Sequence, residues 1–367
     1  MKTVYTPQDG LNYEFQLRWN QAFFPSSNLG FKDAKEFPHK PYDLFDKYHK
    51  FEDNMNSTWH PKVNMGAAVA GDGLLTDHGE SHVKSVIIHA KEISNVSLLN
   101  GYEIFLLLAA IHFHDIGNMS GRDQHEKKIA DIMEKMGDAL PLDTAEKGLV
   151  SEIATAHGGY VSEDQSNKDT IRNISSDDHY GGVVIRPKSL AAILRFADEV
   201  SDDLYRSNPN GVHERSDNSI FHAFSSSLEP ISIIGETISF HFRIPYDLTQ
   251  KTFEKGSEKF YLYDEIIDRM TKCMRELEYC KKYANGLIKI TTIDVKIDFL
   301  DKNSQFQTIK NAGDSFRLTI HGYPNPKTSK LTDYLDAGDE IINKNKALKY
   351  VSGESLARAI RTEVKDD

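Results

Sequence analysis

The stretch from Gly101 to Asn118, GYEIFLLLAAIHFHDIGN, most constrains what this chain can fold into. Phe105 through Ile111 leave no polar face, so the helix they predict must be buried on every side rather than laid on a domain rim. The stretch also carries Glu103, His112, His114 and Asp115, and so is too polar and too short for a bilayer span. Gly117 is placed to end the helix in a left-handed cap. His114 and Asp115 at its C-terminal end must be desolvated, which is costly without a partner. A divalent cation is one such partner, and the rest of the chain shows whether more ligands exist.

The chain has 367 residues, of which 39% are hydrophobic, enough for a large core or two ordinary domains. Its net charge of -11 argues against a sequence-independent grip on long nucleic acid, which needs clustered Lys and Arg. The two cysteines, Cys273 and Cys280, are expected to be buried free thiols of a reduced compartment, with no further cysteines to make a zinc site. The N-terminus shows no apolar signal region and no later run spans a bilayer, so a soluble cytoplasmic protein with no membrane partner is expected.

Taken in order, residues 1–40 are rich in turn formers and predict irregular structure with short helices. Leu44, Phe45, Tyr48 and Phe51 recur at helical spacing, predicting an amphipathic helix over 42–55, whereas 56–76, with Pro61 and several glycines, reads as a loop. Asp77 and Glu80 fit a capping box for a helix running to Ile93. Its inward stripe is His82, Val86, His89 and Ile93, with His78 one turn earlier, and the glutamate is wrongly placed for an HExxH zinc motif. The next helix, 124–136, has the stripe His125, Ile129, Ile132 and Met136. A helix over 144–156 leads through Val150 and Ile153 to His157. Residues 160–186 show no periodicity, and a loop of that length is often a lid. Pro187 suits the first turn of a helix over 187–205, where Leu190, Leu194 and Asp198 share a line and Arg195 pairs outward with Glu199.

Beyond residue 208 the character changes. Residues 231–244 read as a hairpin about Gly235-Glu236, 258–283 as a long helix, 288–299 and 316–321 as strands, and 334 onward as charged helix, amphipathic over 355–364. The expected organisation is mainly α: a helical lead-in over 1–60, an all-helical core over 61–210, and a smaller α+β domain over 211–367.

Singly, each histidine on an apolar face is an ordinary hydrogen-bonded core residue. Repetition argues otherwise. Five helices end or interrupt an apolar stripe with His82, His114 and Asp115, His125, His157 or Asp198. Separate buried polar groups need separate partners, whereas one or two shared cations would satisfy all of them. Imidazole and carboxylate donors suit Mn, Fe, Zn, Co or Ni, with Mg less suited.

At this point the chain resembles the HD-domain metal-dependent phosphohydrolases, whose signature H…HD…D lies on an all-helical core. The matching positions are His82 in HVKSV, His114 and Asp115 in HFHDIGN, and Asp198 in LRFADEVSD. The resemblance covers about 75–205, and the opening TDHGESH is in the style of one bacterial branch. In binuclear members extra histidines on the next two helices hold a second metal, and His125 and His157 match those places. Where many such phosphodiesterases have lysine after HDIG, this chain has Asn118.

The resemblance implies hydrolysis of a phosphoester or phosphoanhydride by a metal-activated water. Asp115 is the candidate bridging ligand, and His125 and His157 are either ligands or, with a single metal, general acids toward the leaving oxygen. Arg122 and Lys84 are candidate phosphate contacts, and the 160–186 loop, with Arg172, His179 and Arg186, a candidate lid. The expected substrate is a small nucleotide, either a nucleoside or deoxynucleoside triphosphate or a cyclic or dinucleotide species. Two other readings stay open: a metal-containing regulatory or ligand-binding module without turnover, and a single-strand nuclease. The C-terminal domain is expected to serve oligomerisation, as a possible homo-oligomer, or substrate selection.

Overall fold

The structure is a computed structural model that describes residues 10–11, 41–69, 76–202, 206–207, 218–255, 258–302, 304–309, 312–320, 331, 348–350 and 352–363. Most of the N-terminal forty residues, the boundary expected near 210 and most of the charged segment from 334 lie outside these. The chain divides into two compact units: Met1–Ala70, His78–Ser201 and Tyr279–Lys289 in one, Gly71–Asp77, Asp202–Glu278 and Ile290–Asp367 in the other.

The first unit is built on helices. Helix α1 (Pro41–Asn54) buries Leu44, Tyr48 and Phe51. It does not give way to a loop, as the sequence suggests, but continues through a π-helical turn, Met55–Trp59, into α2 (His60–Val69). Pro61 falls in the first turn of α2, where its missing N–H and ring are tolerated, and Met55, His60 and Val63 are buried. Helix α3 (Glu80–Ile93) starts at Gly79 with no side-chain cap, so the expected capping box is not formed. Asn64 of α2 accepts the His78 N–H instead, at 3.2 Å.

Helix α4 (Gly101–Phe113) is buried at every residue. Each large apolar side chain so buried contributes about 1.5–3 kcal/mol relative to exposure. A capping box does start this helix: Asn100 accepts from the Glu103 N–H and Glu103 accepts from the Asn100 N–H. Gly117 is not its left-handed cap. The helix ends at Phe113, the chain turns at His114 and Asp115 into a short 3-10 helix, Ile116–Ser120, and positive φ falls at Gly121.

A 3-10 turn, His125–Lys128, leads into α5 (Ile129–Met136). Helix α6 (Thr144–Thr155) opens on a capping box of Asp143 and Glu146. The segment expected to be a structureless loop holds a hairpin, β1 (Asp178–Tyr180) and β2 (Val183–Ile185), turned by Gly181 and Gly182 at φ +56° and +83°, as a two-residue hairpin turn requires. Tyr180 stacks on Tyr102 at 5.3 Å and donates to Asp143, while Arg186 pairs with the buried Glu103. These tertiary bonds have no period in sequence. Helix α7 (Pro187–Glu199) has proline in its first turn and a buried face of Leu190, Ile193, Leu194 and Ala197. Arg195 is not outward-facing: it is 6% exposed, donates to Thr170 Oγ1 and the Lys168 carbonyl, and lies over the Tyr279 ring.

The second unit carries α8 (Ser219–Ser227) and a five-stranded sheet. Strands β3 (Ser232–Ile234) and β4 (Thr237–Ile244) form the expected hairpin. Residues 246–283 follow as α9 (Tyr246–Gln250), the hairpin β5 (Thr252–Lys255) and β6 (Glu258–Tyr261), and α10 (Leu262–Tyr283). Residues 258–261 are thus a strand, not the start of the long helix. Strand β7 (Thr292–Asp301) returns parallel to β4, and β8 (Ser304–Thr308) and β9 (Asp314–Thr319) pair with it antiparallel. Ile238, Phe240, Phe242 and Ile244 alternate inward, and α11 (Gly353–Glu363) buries Leu356, Ala357 and Ile360. Both cysteines are buried and free. Among the described residues no helix is long and apolar enough to cross a membrane. The architecture is a helical core followed by a smaller α+β region.

Candidate metal centre

Element ends in the first unit converge on one cluster. His82 lies in the first turn of α3, and His114 and Asp115 follow α4. His125 opens the 3-10 turn before α5, His157 lies just beyond α6, and Asp198 is in the last turn of α7. A polar side chain at the end of a buried stripe faces inward with its apolar neighbours but lies where backbone groups can still orient it.

Two triads result, each with ligand atoms within 4.8 Å of one another: His82, His114 and Asp198, and Asp115, His125 and His157. In the first, His82 Nε2 is 3.2 Å from His114 Nε2 and 3.0 Å from Asp198 Oδ1. In the second, His125 Nε2 is 3.2 Å from His157 Nε2. Asp115 spans both. Its Oδ2 lies 3.4 Å from His114 Nε2 and 3.6 Å from His82 Nε2, while its Oδ1 lies 3.2 Å from His125 Nε2 and 3.9 Å from His157 Nε2.

Three of the histidines share one orienting device. His114, His125 and His157 each donate Nδ1–H to the carbonyl three residues earlier, Ile111, Arg122 and Ala154, at 2.6, 3.1 and 2.7 Å. A neutral ring that donates from Nδ1 presents a bare lone pair at Nε2. In the His125–His157 pair the two Nε2 atoms face each other at 3.2 Å, an approach that needs either a proton on one ring or a cation between them. Two ligands at about 2.1 Å from one metal, about 90–110° apart, are themselves about 3.0–3.4 Å apart. The donor set and its spacing therefore fit a divalent metal.

The electrostatics have the same sign. Burial opposes charge on all these groups, but without a cation Asp115 and Asp198 raise His114 to about 10. The carboxyls of Asp115 and Asp198 are opposed by burial too, yet the histidines hold both well below the usual carboxylate range. His157 is lowered to about 4 by burial and then by His114 and His125, and so stays neutral. His125, also opposed by burial, is raised by its bond to Asp115.

The other expected site residues are placed differently. Arg122 is exposed, and it is its carbonyl that serves His125. Lys84, two residues past His82 and so across the helix, pairs with Glu80 in solvent. Arg172 and His179 are exposed, and Arg186 is committed to Glu103. Three buried neighbours adjoin the cluster, of which periodicity places His78, one turn before His82, and misses the other two. His78 has its ring 5.9 Å from that of His82, Asn118 donates to Asp115, and Glu126 Oε2 lies 3.5 Å from His125 Nδ1. A cleft of about 880 Å³ opens beside the cluster between α5, α6 and 158–174, with Met133, Lys147, Ser151, Tyr160 and Ile174 in its walls. The triad side chains do not line it.

Residues 73–225 match the model of the HD-CE family. No curated protein and no solved structure matches the chain. The match spans His82 through Asp198, and it describes an HD-like domain. That domain, with a His/Asp cluster suited to a divalent cation, fits a metal-dependent hydrolase in general.

Proposed function

We propose that this protein is a metal-dependent phosphohydrolase that cleaves a phosphoester or phosphoanhydride bond of a small nucleotide. The observation that carries the reading is the divided carboxylate of Asp115, one oxygen turned to each triad. His82, His114, Asp198 and Asp115 would hold one cation, and Asp115, His125 and His157 a second. Bound there, divalent cations supply a more acidic water and charge that offsets a phosphate.

The chain's own groups set the rest. His82 and His114 are fully buried and serve to hold, not to exchange protons with solvent. Asp115, with one carboxylate oxygen turned to each triad, would orient the attacking water between them. The His125 side chain is 16% exposed, which suits it to pass a proton to a leaving oxygen whenever a single cation is bound. The net charge of -11 disfavours long polyanions as substrates, which supports a small nucleotide over single-stranded DNA or RNA.

The test is to purify the chain without chelator, measure metals per chain, and incubate it with deoxynucleoside triphosphates, nucleoside triphosphates and cyclic nucleotides, with analysis of products. Metal together with release of phosphate, pyrophosphate, triphosphate or a linearised product is expected. Asp115→Ala is expected to lose both metal and turnover. Bound metal without turnover on any of these would replace the proposal with a regulatory module.

A further inference from the structure

Asn118 sits against the cluster without being one of its ionisable members. It is 2% exposed, its Nδ2 donates to Asp115 Oδ1 at 3.0 Å, and its backbone N–H donates to the Asp115 carbonyl at 3.0 Å. Its Oδ1 has no hydrogen-bond partner among the described residues. The opposite amide orientation would set two acceptor oxygens 3.0 Å apart, so the network itself assigns Nδ2 to Asp115.

The oxygen that Asn118 holds is the one turned to His125 and His157. The two triads do not depend on Asp115 equally. The first has a carboxylate of its own, Asp198, 3.0 Å from His82. The second has no carboxylate besides Asp115: Glu126 approaches His125 at Nδ1, across the ring from the Nε2 that faces the cluster. Whatever fixes Asp115 Oδ1 therefore governs the second triad far more than the first. Fixing it is not needed for packing. A buried amide with one oxygen unsatisfied is a poorer core residue than an apolar side chain of the same shape.

We propose that Asn118 is a positioning residue that holds Asp115 Oδ1 toward His125 and His157, and so makes the second cation site. The inference rests on the metal reading above and extends it to a division of labour. The His82, His114 and Asp198 site loads first and alone, and the second site loads only when Asn118 has set the carboxylate. Loss of an outer-shell partner of this kind typically lowers metal affinity 10–100-fold.

The experiment is a Mn2+ titration of the chelator-stripped full chain, followed by competition with a chromophoric chelator and by the electron paramagnetic resonance of the bound ions. Wild type is compared with Asn118→Leu, close in shape but without the donor, and with Asn118→Asp, which sets a carboxylate against Oδ1. Expected are two unequal sites and a spin-coupled pair in wild type. In both variants the tight site is expected to be unchanged and the weak one lowered 10–100-fold, with the coupling lost. The metal-free Asn118→Leu chain should melt no lower than wild type. Equal weakening of both sites would mean that Asn118 acts only on the fold. An unaltered second site, or a wild type that binds a single ion unaffected by either variant, would overturn the inference while leaving the metal reading standing. A wild type that binds no cation would remove both.

Discussion

The Cβ that Gly117 lacks would lie 1.9 Å from the carbonyl oxygen of His125. Atoms cannot approach so closely, so the turn after Asp115 rests directly on the backbone that carries the second triad. Gly117→Ala is expected to push the His125 turn away, lowering metal per chain by about one ion. Overpacking of this kind costs about 1–3 kcal/mol. Elemental analysis and thermal melts report the two effects separately, and an unchanged metal content would mean that the backbone yields without moving the ring.

Glu103 is fully buried and takes three hydrogen bonds from Arg186, two from the guanidinium and one from the backbone N–H, besides capping α4. Arg186→Met would strand that carboxylate. Removing one partner of a buried pair costs on the order of 3 kcal/mol, readable as a lowered urea midpoint. Because Arg186 is occupied in this pair, KM for any substrate is expected to stay as it is. A raised KM with unchanged stability would restore Arg186 as a substrate contact.

His89, on α3 but away from the triads, shares a hydrogen bond with Ser201 Oγ at 2.9 Å, and burial, then His82, lowers it to about 4. His60 is lowered to about 4 as well, by burial and then by His114. A group depressed below its unfolded value, about 6.5 for histidine, stabilises the fold fully above that pH and loses the contribution as pH falls toward the folded value. Chelator-stripped protein is therefore expected to weaken steadily from about pH 6.5 to about pH 4, by about 3 kcal/mol for His89 alone. His89→Gln should flatten that limb of the urea stability profile. An identical limb would assign the loss to other groups.

Without a cation, His114 holds its proton to about pH 10, so a metal must displace it. Apparent affinity is expected to rise with pH, with protons released on binding. Added metal should also raise the melting temperature. At about 100 times Kd, ligation of the folded state alone is worth about 2.7 kcal/mol. Asp115→Ala is expected to abolish the shift and His82→Ala to diminish it. Isothermal titrations in buffers of different ionisation heat count the protons, and a count of zero at neutral pH would contradict the charge state assigned to His114.

Much of this protein was legible as local pattern. The burial of Gly101–Phe113, the hairpin at 232–244 and the helix following Pro187 are statements of period and turn chemistry. So is the placing of His82, His125, His157 and Asp198 at the ends of apolar stripes. Other features were illegible because their causes lie far along the chain. The π turn that carries helix past residue 55 buries Met55, His60 and Val63, and so overrides the loop composition of that segment. Arg195 sits beneath Tyr279, a residue from beyond the change in character near 208, and Arg186 finds its carboxylate on α4. Asn118 reads in sequence as a departure from a motif and becomes meaningful only once its amide is seen on Asp115.

The sequence alone thus determined which side chains face inward and which chemistry they share, because hydrophobic period and helix ends are set within a few residues. Tertiary structure decided that these side chains form two triads joined by one carboxylate, and which charged neighbours are already paired. Those are distances between segments up to 116 positions apart, and only the packed core brings them within reach of one ion.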